Sequence, residues 1–151
     1  MKTITFILGL FLCFNLSAQW VYKTINDGFD EPYKIAYTDN PVAPFLKMEN
    51  VDGKVALYLK GGYFCDDRIS YDFVFILGDD VYRVSGVGLK NSNSDVLFLT
   101  ADLLNEEYET VSWFKKCSKL KIRVNESYCT TGYYEFNMTK STSALEFMSK
   151  P

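Results

Sequence analysis

Three cysteines and three groups of acids have the residue types and spacing to do chemistry. They are Cys65, Cys117 and Cys129; Asp66 with Asp67; Asp79 with Asp80; and Asp27, Asp30 and Glu31. The chain of 151 residues contains no histidine. A zinc site draws several His or Cys ligands at close spacing, and here there is neither a histidine nor a Cys-x-x-Cys pair, so no metal site is expected. A cysteine nucleophile works with a histidine base, and Ser-His-Asp catalysis needs one as well; both are excluded. Carboxylate chemistry is what remains. A glycosidase pair holds two carboxylates roughly 5–10 Å apart across a cleft, and acids adjacent in sequence read instead as solvated turns. Asp27, Asp30 and Glu31 could offer oxygens to calcium but lack the ordered spacing of an EF-hand. The segment "SGVGLK" has two glycines but lies between expected strands and opens no helix, so it is no phosphate loop. No cofactor is expected.

The cysteines then turn on compartment. The chain opens "MKTITFILGLFLCFNLSAQW": a positive Lys2, an apolar run from Ile4 to Phe14, and small residues at Ser17 and Ala18. This reads as a secretory signal, residues 1–18, cleaved near Ala18 and Gln19. The run is shorter than the ~20 apolar residues a membrane-spanning helix requires, and nothing later could span a bilayer. The large Phe11 and Leu12 argue against Cys13 as a lipid acceptor. The protein is therefore expected to be periplasmic or secreted, where cysteines usually pair. Three single bridges are possible. Cys65 and Cys129 lie in turn-rich, aromatic surroundings, "GGYFCDD" and "SYCTTGYY", which favours that pairing over Cys117–Cys129. Cys117, late in an expected helix, reads as a small buried hydrophobe.

Residues 19–151 make one domain by length. The net charge is −3 and the one basic cluster is 115–123; no extended basic stripe suggests a nucleic-acid partner. Aromatics form 17% of the chain, suiting a β-rich core or a binding surface. Alternation marks about eight strands: "YKIAYT", "FLKMEN", "KVALYLKG", "ISYDFVFIL", "VYRVSGVGL", "VLFLT", "KLKIRVN" and "YYEFNM". Asp52-Gly53 signals a hairpin turn. Over about 102–117 the period becomes helical, with acids early and lysines late, which suits the helix dipole. The tail from Thr139 reads as a short helix or a loose end. Strands in runs, not alternating with helices, argue against a parallel βαβ sheet. The expected fold is mainly β, a small antiparallel β-sandwich or barrel with one α-helix packed on it.

Candidate contact residues are Trp20, Tyr22, Trp113, Lys115 and Lys116. For Trp20 and Tyr22 the edge of the core is the favoured reading, and for Trp113 packing against a loop is favoured at least as much as exposure. The order of features is a signal, then Trp20, the hairpin "FLKMENVDGKVALYLKGGYFC", a late helix with "SWFKKCSKLKIRV", and a last strand with "YYEFNMTKSTSALEF". This order resembles small exported β-sandwich proteins grouped with invasion-associated locus B and with accessory proteins of type VI secretion. The resemblance spans most of 20–148 and implies an exported accessory or binding role, with no catalytic residues to carry over. The expected function is a non-enzymatic module contacting another macromolecule, a protein or other envelope component, at the cell envelope or outside the cell. The first rival is an inhibitor or immunity-type protein acting through a protruding loop such as 90–95. The second is a carboxylate-based hydrolase.

Overall fold

The computed structural model describes residues 20–26, 28, 31–39, 44–51, 54–100 and 109–150. The signal segment, Asp27, Asp30, the Asp52-Gly53 turn and residues 102–108 of the expected helix lie outside the described residues. The described chain forms β1 (Trp20–Ile25), β2 (Tyr33–Thr38), β3 (Phe45–Val51), β4 (Lys54–Lys60), β5 (Arg68–Leu77), β6 (Asp80–Lys90), β7 (Val96–Thr100), α1 (Glu109–Lys116), β8 (Lys119–Asn125), β9 (Gly132–Asn137) and α2 (Ser141–Ser149). All strand pairs are antiparallel, in one nine-stranded sheet of order β1-β2-β3-β4-β7-β6-β5-β8-β9. The fold is thus mainly β, as the alternation implies. Among the described residues it is one open sheet, not closed into a barrel, with two helices. The tail resolves as the second of them.

Alternation explains the sheet's two faces. In β5, Ile69, Tyr71, Phe73 and Phe75 are buried, and in β8 Leu120, Ile122 and Val124 are buried. Successive side chains of a strand point to opposite faces, so the intervening Ser70, Asp72, Val74, Lys121 and Arg123 all face the other way. The buried set forms one core cluster under α1 and α2. The two helices pack end to end. Ser141 Oγ donates to Phe114 O at 2.8 Å and Thr142 Oγ1 to Lys115 O at 2.8 Å. These hydroxyls satisfy carbonyls that the last turn of α1 leaves without a helical partner. Strand β1 has no clean alternation in sequence and was not among the expected strands. It is held by pairing with β2 along its whole length and by burial of Trp20.

After β4 the chain crosses to β5 and returns through β6 and β7 to reach β4 again. This return needs close packing at two glycines. A Cβ at Gly86 would lie 2.4 Å from the Tyr71 hydroxyl, and one at Gly88 would lie 2.7 Å from Phe98 O. Tyr71 cannot swing aside freely, because its buried hydroxyl donates to Leu99 O at 2.9 Å. The glycines of "SGVGLK" are therefore packing glycines. Replacing Gly86 by alanine is expected to lower stability by about 1–3 kcal/mol through overpacking, measured by urea unfolding.

Cys65 and Cys129 form the disulfide, with Cα atoms 6.0 Å apart, and Cys117 is free and buried. The bond joins the β4–β5 crossover to the β8–β9 connection. Two carboxylates reinforce it: Glu126 Oε2 accepts the N–H groups of Cys65 and Asp66, and Asp66 Oδ2 accepts the Ser127 N–H at 2.6 Å. A cross-link spanning 64 residues removes loop entropy from the unfolded chain worth roughly 4 kcal/mol. Cys65→Ser with Cys129→Ser is expected to lower unfolding stability by about that amount, read as a shifted urea midpoint.

Candidate functional site

The outward side chains of β6, β5, β8 and β9 fall in register across the sheet. One row runs Ser85, Asp72, Arg123, Tyr133; the next runs Arg83, Val74, Lys121, Glu135. These two rows line a groove of about 530 Å³. Neighbouring strands are about 4.8 Å apart, so side chains from four strands reach one another although they lie far apart in sequence.

Asp72 is the hub. Its Oδ1 accepts from Ser85 Oγ, and its Oδ2 accepts from Arg123 Nε at 2.9 Å, Arg123 Nη2 at 2.6 Å and Asn125 Nδ2 at 3.2 Å. The Ser85 hydroxyl and the Arg123 guanidinium hold the Asp72 carboxyl below the usual carboxylate range. Asp72 in turn raises the pKa of Arg123. Glu135 bridges Lys119 at 2.8 Å and Lys121 at 3.2 Å, and these two ammonium groups hold it low as well. The Arg83 side chain is exposed and has no hydrogen-bond or ion-pair partner among the described residues. Arg83, Lys121 and Arg123 therefore stand against two carboxylates in the groove, with Lys119 alongside, on a chain whose net charge is −3. Tyr133 stands at the wall, 75% exposed. Beside it Tyr134 is half-buried, and burial and then Glu126 raise its pKa.

The residues expected to carry function sit elsewhere. Trp20 is 1% exposed with its ring 6.3 Å from Phe114; it belongs to the core and offers no contact surface. Trp113 is half-buried, stacked on Tyr82 at 4.7 Å and near Phe75 at 6.0 Å, so it too is a packing residue rather than an exposed anchor. The reason in both cases is helix-on-sheet packing: Trp113 of α1 covers Phe75 and Tyr82 of the strands, and Trp20 of β1 meets Phe114 of α1. Tyr22 is partly exposed and packs on Phe147 at 5.3 Å. Lys115 is half-buried and Lys116 exposed on α1. Trp113, Lys115 and Lys116 share α1 and Trp20 packs on it, but none of the five positions lines the groove.

Asp66 with Asp67 and Asp79 with Asp80 flank the two ends of β5, ten residues long, roughly 30 Å apart, so the pairs share no cleft. Asp66 is half-buried in the disulfide latch; Asp67 contacts Lys90 at 3.4 Å; Asp79 and Asp80 are exposed at the hairpin tip. Glu126 lies near the Cys65 and Cys129 sulfurs, but bonded sulfurs are not the thiolates a metal needs. The 90–95 loop does not stand free: Gly61 N–H donates to Asp95 O and Phe64 N–H to Ser94 O, while Lys90 Nζ donates to Cys65 O.

The groove residues were open to a sequence reading only in part. Lys119, Lys121 and Arg123 belong to the basic cluster, and Asp72 interrupts the most apolar strand. Their meeting depends on strand order and register. No helix among the described residues is long and apolar enough to cross a membrane. No family model matches the chain, and neither a curated protein nor a solved structure is found to be similar to it.

Asp72 and Glu135 titrate below their unfolded values, so their stabilisation is present above about pH 4, the ordinary carboxylate value, and is lost as pH falls through the lowered folded values. Thermal stability is expected to fall on acidification from pH 6 to 3, and to fall less in Asp72→Asn, whose own stability at pH 6 is lower by about 1 kcal/mol.

Proposed function

We propose that the protein is an exported, non-enzymatic binding module whose contact surface is the groove on β6, β5, β8 and β9. The observation that carries this reading is an open sheet face lined by an arginine with no ion-pair partner among the described residues, two further cations and an exposed tyrosine. Arginine and tyrosine are enriched where proteins meet partners, and side chains held on strands keep their positions better than side chains on loops.

Two further features support it. Both groove carboxylates are held ionised, opposite to the raised value that a general acid requires, which speaks against a carboxylate-based hydrolase. The Cys65–Cys129 disulfide suits an oxidising compartment and fits with residues 1–18 as a cleaved signal. The resemblance to the invasion-associated locus B group points toward the same accessory role. An inhibitor acting through the 90–95 loop is less favoured, since that loop is tied down against residues 61–65.

The test has two arms, both in the native host. The purified protein is expected to begin at Gln19 and carry the Cys65–Cys129 bond by mass spectrometry. A photo-crosslinking residue at Tyr133 is expected to capture a macromolecule that the same residue at Asp79 does not, and Arg83→Glu should abolish the adduct. An N-terminus at Met1 with three free thiols in the mature region would refute export; equal capture at both positions would refute the groove as the contact surface.

A further inference from the structure

We infer that the groove takes an acidic polysaccharide, a chain whose sugars bear carboxylates or sulfates. The inference rests on the reading of the groove as the contact surface. The first argument is charge. Three cations line the groove against two carboxylates; Arg123 pairs with Asp72 and Lys121 with Glu135, while the Arg83 side chain has no ion-pair partner among the described residues. Arg83 and Lys121 flank Val74 from opposite sides, about 10 Å apart at two strand spacings. Arg123 lies two residues along from Lys121, about 7 Å. A chain laid across the face can meet several of these charges in turn. Guanidinium groups bind planar carboxylates and sulfates through paired hydrogen bonds, and Arg83 has its full donor set to offer.

The second argument concerns the backbone. The floor strands β5 and β8 are each paired on both sides, so their amide groups are occupied within the sheet. An extended peptide is recognised most readily by adding a strand to an open edge. The floor offers no such edge; the strand that ends the sheet, β9, stands at the groove's wall, and across the floor a ligand is held only through side chains. A ligand whose recognition sits in its pendant anionic groups fits that surface better than one whose recognition sits in its main chain. The third argument is the exposed ring of Tyr133 at the wall. Tyrosine pairs an apolar face with a polar tip, which suits the mixed faces of a sugar ring.

The experiment follows backbone amide shifts of the full mature chain by NMR. Polygalacturonate, dextran sulfate, neutral dextran and poly-glutamate are titrated at low salt. Polygalacturonate or dextran sulfate is expected to move the amides around Asp72, Arg83, Lys121, Arg123 and Tyr133, and whichever binds tighter identifies the anion as carboxylate or sulfate. Affinity should fall as salt rises, because the attraction is screened. Arg83→Glu should weaken it at least tenfold and Arg83→Lys by less, since lysine keeps the charge but loses the paired hydrogen bonds, both variants showing wild-type thermal unfolding. Neutral dextran should leave the groove unmoved. Poly-glutamate shifting the same amides equally would overturn the polysaccharide assignment and leave the groove as a binding site for acidic protein. Shifts confined to other surfaces, or none with any polyanion, would overturn the assignment; the Tyr133 crosslink then decides separately whether the groove binds anything.

Discussion

The period-two alternation of β5 is the constraint on which both faces of this protein depend. Ile69, Tyr71, Phe73 and Phe75 must enter the core, and a slip of one residue would turn all four out to water. That requirement locks β5 against β6 on one side and β8 on the other. Once the register is locked, the outward residues have no freedom left. Asp72 must stand between Ser85 and Arg123, and Val74 between Arg83 and Lys121. The groove is the unavoidable reverse side of the core.

The same economy of position governs the end of the sheet where the chain crosses over. The β4–β5 crossover, the β6–β7 turn and the β8–β9 connection meet there. Cys65–Cys129 binds the first to the third, Glu126 and Asp66 exchange hydrogen bonds with backbone N–H groups across the bond, and Lys90 reaches Cys65 O. Acidic side chains that could have been read as chemical groups are spent here on backbone donors left outside the sheet ladder. A carboxylate that accepts such bonds is a structural element first. The groove carboxylates differ, because their partners are the cations of the outward sheet face.

Trp20 and Trp113 show why aromatic residues mislead when read singly. A tryptophan off the apolar stripe of a short helix looks exposed in projection. In the folded chain, α1 lies on the sheet, and Tyr82 and Phe75 fill the space beneath Trp113. Trp20 likewise lies in a stretch without clean alternation, yet β1 acquires its strand geometry from β2 and buries the indole against Phe114. In both cases tertiary contact overrides the local pattern, as β propensity generally allows.

By itself the sequence determined the class of the protein and the location of nearly every strand. Alternation is a local property, so "ISYDFVFIL" and "KLKIRVN" declare their buried faces without help. The absence of histidine narrowed the chemistry, and the surroundings of Cys65 and Cys129 favoured their pairing, since each sits in a turn beside a strand. Only the tertiary structure decided that the strands make one open sheet, that β7 inserts between β4 and β6, and that Arg83, Asp72, Lys121, Arg123 and Tyr133 share a face. Those residues come from four strands separated by up to 61 positions. Their meeting depends on strand order and on loop paths, which no local periodicity encodes. The physical reason is that hydrophobic alternation specifies which way a side chain points, while its neighbour across the ladder is chosen by the whole chain.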